Sequence, residues 1–317
     1  MRRLLIGLGS TAMLVVVAAM AYGAWRNPEK QTLDEAARAG APGQFIALSS
    51  GMTHYELTGP DTGRTVVLVH GFSVPYYIWD STSAGLTRAG YRVLRYDMFG
   101  RGYSDRPAVD YDAALYDDQL RSLLDSLRIT EPIDLVGLSF GGFVTAHFVT
   151  THTARVRTLT LVDPISDRID LGVARFAVIG PWIWRALVAP GMAENQLTDF
   201  LHPERHPRWA EQYRPQMRYK GFGHALRSTA IHLTDADFDT LYAGVARSGV
   251  PVLLIWGMQD QTIPFAMSDV VRRNIPAVEF MPVDSAGHLP HIEQAQSVNA
   301  RLEAFFEAHP AIIRDRT

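Results

Sequence analysis

Two hydrophobic periods alternate along this chain. Short apolar runs bounded by glycine, proline or aspartate recur at "TVVLVHG" (65–71), "YRVLRYD" (91–97), "PIDLVGLS" (132–139), "VRTLTLVDP" (156–164), "PVLLIWG" (251–257) and "VEFMPVD" (278–284). Runs of that length and composition predict buried strands. "QFIALSSG" (44–51) and "MTHYELTG" (52–59) read as a two-stranded hairpin. Between the strands the period lengthens. "IWDSTSAGLTRAG" predicts a helix closed by Gly90, and "YDAALYDDQLRSLLDSLRI" places Leu115, Leu120, Leu123, Leu124 and Leu127 on one helical stripe. "GFVTAHFVTTH", "PFAMSDVVRRNI" and "PHIEQAQSVNARLEAFFEAH" predict three more helices. Apolar strands alternating with helices imply an α/β fold: a mostly parallel sheet of about eight strands, covered on both faces.

Two stretches depart from the alternation. From about residue 166 to 249 no strand pattern appears, which predicts a helical cap inserted into the α/β core of 44–165 and 250–317. At the amino end, Met1-Arg2-Arg3 precedes about 21 uncharged residues, Leu4 to Ala24, enough to span a bilayer as a helix. Residues 1–25 are therefore expected to be a transmembrane signal anchor, or a cleaved signal peptide with Ala19-Met20-Ala21 as the small-x-small site. Either puts the remainder on the non-cytoplasmic side, periplasmic or extracellular. Residues 26–43 read as a linker with a short helix.

Composition narrows the chemistry. The 317 residues are 47% hydrophobic and 20% charged, with a formal net charge of −3. That balance gives no argument for nucleic acid as a partner. The absence of cysteine excludes a thiolate nucleophile, cysteine–zinc sites and disulfides.

The chemistry-bearing residues fall at strand ends. Gly137-Leu138-Ser139-Phe140-Gly141 is a G-x-S-x-G sequence at the joint between a predicted strand and a predicted helix. Such a joint strains the serine backbone and exposes its hydroxyl, and the flanking glycines relieve the crowding. A serine needs a base. His288, in the loop after the last predicted strand, is the candidate, with His291 as rival. Asp260, after "PVLLIWG", is the candidate acid, and Asp163, in "LVDP", its rival. A metal pair at His202 and His206 is disfavoured by Pro203.

The order Ser139, Asp260, His288, together with "LVHGF", "YDMFGRGYSDRP", "GLSFGG", "WGMQD" and "AGHLPHIE", resembles the α/β-hydrolase fold over about residues 44–310. The resemblance implies an oxyanion hole from the backbone N–H groups of Phe72 and Phe140, and a triad that works without metal or organic cofactor. A serine in place of an aspartate nucleophile points away from dehalogenases and epoxide hydrolases. It points toward an esterase or lipase-like hydrolase acting on a small-molecule acyl ester; carbon–carbon hydrolysis and perhydrolysis are the alternatives for the same triad, and a non-catalytic binding member is the alternative without chemistry. In the insertion, Phe176, Ile179, Trp182, Ile183, Trp184 and Leu187 are expected to line an acyl pocket, to touch lipid, or to pack the cap on the core. Anchor and apolar cap together resemble the membrane-anchored monoacylglycerol-lipase-like members and imply medium-sized apolar acyl esters. Asp97, Gly100 and Gly102 are expected to shape the loop after their strand.

Overall fold

The computed structural model describes residues 2–310, with side chains described from residue 13 onward. Eight strands form one sheet: β1 (Gln44–Leu48), β2 (Gly51–Thr58), β3 (Thr65–Val69), β4 (Arg92–Tyr96), β5 (Ile133–Leu138), β6 (Val156–Val162), β7 (Val252–Gly257) and β8 (Glu279–Val283). Their spatial order is β1-β2-β4-β3-β5-β6-β7-β8. The hairpin β1–β2 and the β2–β4 pair are antiparallel, and every other pairing is parallel.

The strand period deals side chains to two cores. Val67 and Val69 of β3 enter one hydrophobic cluster, and Val66 and Leu68 enter the other. The first cluster is closed by the helices Ala113–Ser126, Phe140–Thr151 and Phe238–Ser248. The second is closed by Asp80–Arg88 and Ala295–Ala308. Helix Ala113–Ser126 starts where Asp112 accepts the Leu115 N–H at 2.9 Å, and its Leu120, Leu123 and Leu124 are buried as their spacing predicts.

Between β6 and β7 the described chain forms helices joined by irregular stretches, with no strand. Its longer helices are Trp209–Met217, Phe222–Leu233 and Phe238–Ser248. Residues 26–43 carry the short helix Glu35–Arg38 and are strapped to the insertion. Gln31 exchanges backbone hydrogen bonds with Arg218 and Lys220 at 2.9 and 2.8 Å, and Glu29 accepts the Gly221 and Gly223 N–H groups.

The expectation for the amino terminus is overturned. Arg2–Arg26 is a helix, but among the described residues no helix is long and apolar enough to cross a membrane. The side chains of residues 1–12, the leading half of the expected anchor, lie outside the described residues. The later turns of the helix are laid against the insertion. Trp182 Nε1 donates to Ala19 O at 2.8 Å, the indole lies so close to Gly23 that a Cβ there would collide with it, and Arg26 Nε donates to Ala186 O. The docking is narrow: Gly23 is buried against Trp182, while Leu14, Val15, Val16 and Met20 stay exposed. The transmembrane or signal anchor, the membrane as partner, and the non-cytoplasmic or secreted location that rested on them are withdrawn.

One polar cluster ties the sheet together. Asp134 on β5 is fully buried, and it pairs with Arg64 and Arg157 and accepts the Thr158 hydroxyl at 2.7 Å. Removing one side of such a network leaves the other unpaired. Asp134→Ala is expected to lower unfolding free energy by about 3 kcal/mol, because both arginines retain some access to water. Denaturant titration with an unchanged slope checks this.

Candidate active site

The site forms where β5, β6 and β7 end side by side. Ser139 follows β5 directly, with φ 53° and ψ −118°, a backbone region costly for a residue with a Cβ. Its backbone is over-determined from β6. Ser139 N–H donates to Val162 O at 2.9 Å, and Ser139 O accepts from Gly142 N and Ile165 N. A Cβ at Gly137 would run into Gly141 O and Thr145 Oγ1, and one at Gly141 into the carbonyls of Val69 and His70. The two glycines of the pentapeptide are thus required by close approach, as the sequence spacing implied.

His288 is buried, and its Nδ1 faces Asp260 Oδ2 at 2.7 Å. The other Asp260 oxygen accepts the Thr262 and Ile263 N–H groups at 2.8 and 2.9 Å, which fixes the carboxylate plane. His288 N–H donates to Asp199 O at 2.8 Å, so the insertion grips the loop that carries the imidazole. Burial alone would lower the His288 pKa. The charge and hydrogen bond of Asp260, with a smaller pull from Asp199, outweigh it and leave the pKa above that of free histidine.

Ser139 and His288 line one cavity of about 170 Å³, together with Phe72, Met192, Asp199 and Leu289 among others. Neither Phe72 N–H nor Phe140 N–H has an acceptor among the described residues. Both therefore stand free near the serine. The structure brings together Ser139, His288, Asp260, Phe72 and Phe140, and it also brings in Asp163. Asp163, Asp260 and His288 offer ligating atoms within 4.8 Å of one another, the one such cluster among the described residues. Two of those three are already bonded to each other, the geometry of a charge pair more than of an open metal site.

The remaining candidates go elsewhere. His291 is buried on Trp79, its Nε2 meets Ile78 O at 3.1 Å, and burial pushes its pKa down to about 3. His202 pairs with Glu204 and His206 stacks on Phe200 at 4.0 Å. Asp97 shapes its loop as expected: it accepts from Tyr76 N and Tyr103 N and contacts His54 Nδ1, and a Cβ at Gly102 would overlap its carboxylate. The six apolar residues expected at a pocket are not among those lining the cavity. Phe176, Ile179 and Leu187 are exposed, Trp182 holds the first helix, and Trp184 is buried in the second core. Met192, Gln196 and Asp199 line it instead. Helical spacing reports an apolar face without saying what covers it.

Arg101 escaped the sequence reading. Its guanidinium is fully buried and pairs with no carboxylate among the described residues. Its Nε donates to Phe72 O at 2.9 Å, its other nitrogens reach Phe99 O, the Tyr116 hydroxyl and Thr229 Oγ1, and it lies 5.6 and 5.8 Å from the Phe72 and Phe140 ring centroids. A buried cation without a counter-ion is costly. The only sequence signal was the arginine inside "FGRGYS", a loop that already had a structural explanation.

Known proteins agree with this architecture. The enol-lactonase from Burkholderia xenovorans LB400 superposes with a TM-score of 0.72 at 23% identity, covering 83% of this chain and 99% of its own. A thermophilic esterase from Thermogutta terrifontis gives a TM-score of 0.73 at 24% identity, covering 84% and 100%. The AB hydrolase superfamily protein YisY of Bacillus subtilis is 23% identical over 258 residues, 77% of this chain and 91% of its own length. Residues 66–301 match the family described as the alpha/beta hydrolase family, well over half of the chain. The chain belongs to the alpha/beta hydrolase family.

Proposed function

We propose that the protein is a serine hydrolase that cleaves carboxylic esters with short acyl groups through an acyl-serine intermediate. The observation that carries this is the buried 2.7 Å contact of Asp260 with His288 Nδ1 beside a serine held at a strained strand–helix joint. With Nδ1 engaged by Asp260, Nε2 is the basic nitrogen. His288 takes the Ser139 proton as the oxygen attacks the ester carbonyl. The N–H groups of Phe72 and Phe140 receive the oxyanion. His288 then protonates the departing alkoxide, and water, activated by the same imidazole, releases the acid and restores the serine.

The size of the cavity supports a short acyl group. At about 170 Å³ it is below the roughly 300–1,000 Å³ of ordinary ligand pockets. The medium-sized acyl group and the monoacylglycerol-lipase-like specification rested on the anchor and on apolar residues that lie outside this cavity. Acetyl to butyryl esters fit the space between Leu138, Met192 and Leu289 better.

Three outcomes are expected. A fluorophosphonate labels Ser139 in the folded protein, and Ser139→Ala abolishes both labelling and turnover of p-nitrophenyl acetate. Cleavage of vinylogous diketones with esters left untouched would replace this reading by carbon–carbon hydrolysis. Asp260→Asn lowers kcat by about 10³- to 10⁴-fold. Because His288 must be neutral to act and its pKa is raised, the acid limb of kcat/KM lies above that of free histidine, and Asp260→Asn moves it down. Finally, p-nitrophenyl butyrate outperforms the octanoate, and Met192→Ala raises kcat/KM for longer chains by roughly fourfold for each methylene newly accommodated.

A further inference from the structure

Asp163 has no part in that mechanism, yet it is fully buried at the end of β6, beside Asp260 and His288. Its backbone is held at φ 42°, a strained value for a residue with a Cβ, by an N–H bond to Ile255 O at 2.9 Å. Its Oδ1 accepts the Gly257 N–H at 2.8 Å. Its Oδ2 is buried and has no hydrogen-bond partner among the described residues. A buried carboxylate oxygen without a donor is costly, and two carboxylates cannot both be charged at this separation in a dry site. Asp260 already carries the charge that faces His288, with one oxygen on the imidazole and the other on two backbone amides.

We propose that Asp163 is a positioning residue that keeps its proton and donates it in a hydrogen bond to Asp260, steadying the carboxylate that faces His288. The inference rests on the serine hydrolase reading above. The unpartnered oxygen then becomes a donor, and the carboxyl group satisfies both of its neighbours: Oδ1 takes the Gly257 N–H and Oδ2–H reaches Asp260. Burial, and then the Asp260 charge, hold the Asp163 carboxyl well above the usual carboxylate range, against the opposing Gly257 bond. The other titratable groups around the pair are accounted for. Both Glu293 oxygens accept backbone N–H groups of residues 201, 202 and 287. Asp199 binds the Thr262 hydroxyl at 2.7 Å. Burial keeps His291 neutral.

The sign of a pH shift tests this. Asp163→Asn keeps an acceptor for Gly257 and supplies an N–H to Asp260, so the fluorophosphonate labelling rate and its acid limb stay at wild-type values. If Asp163 were ionised, the same substitution would remove a negative charge near His288 and lower the limb, which overturns the proposal. Asp163→Ala removes the donor. Labelling falls about tenfold or more through misplacement of Asp260, and the limb rises because the whole Asp260 charge then falls on the imidazole. Wild-type behaviour of Asp163→Ala, or a slower rate with an unmoved limb, overturns it as well. An infrared difference spectrum of wild type against Asp163→Asn at neutral pH is expected to show the carbonyl stretch of a protonated carboxylic acid, and its absence sinks the idea. That band does not depend on turnover. Wild-type protein that shows the band but resists labelling would fail as a hydrolase while keeping the protonated acid.

Discussion

The backbone hydrogen bond from Ser139 N to Val162 O is the contact on which the site depends. It extends the β5–β6 ladder by one step past the last paired residues, Leu138 and Val162, and so holds a serine at φ 53° where relaxation would carry it into the helix. The same register continues across the sheet. Val162 pairs with Ile255 on β7, and Asp163 N donates to Ile255 O. Gly257 closes β7 against the loop that carries His288, so tightly that a Cβ would strike Gly287 O. Three strand ends in register thus set the places of Ser139, Asp163 and Asp260, and Gly257 backs the loop of His288. The inserted helices need only close the space above them.

The parts written in local pattern were legible beforehand. All eight strands were found because their apolar runs end at residues that stop a strand, as at Gly71, Asp97 and Gly257. The pentapeptide around Ser139 was legible because its glycines answer a steric demand within five residues. Asp260 and His288 were found from their positions after strands, and the structure sets them 2.7 Å apart. What was misread depends on partners. The amino-terminal apolar run was read as a span, yet no described helix is long and apolar enough to cross a membrane, and the later turns of this one contact Trp182 and Ala186. The stretch 173–188 has the spacing of a pocket wall, yet Trp182 serves that helix and Phe176 stays exposed. Arg101 and the free oxygen of Asp163 left no periodic trace at all, since their meaning comes from groups distant in sequence.

Arg101 and the acids around His288 form two neighbourhoods of opposite electrostatic character. Arg101, without a carboxylate partner, holds Phe72 O and lies against the rings of Phe72 and Phe140. Asp260, Asp163 and Asp199 surround His288. In the proposed reaction, negative charge grows on the carbonyl oxygen, toward Phe72 and Phe140, while positive charge grows on the imidazole, toward the acids. A guanidinium on the first side and the Asp260 charge on the second favour that separation before any substrate arrives. Fixed charges act strongly because nothing has to reorient when the transition state forms. A neutral Asp163 fits the same logic. A second full negative charge beside Asp260 would hold His288 so firmly protonated that it could not accept the serine proton. A donated hydrogen bond steadies Asp260 without adding charge.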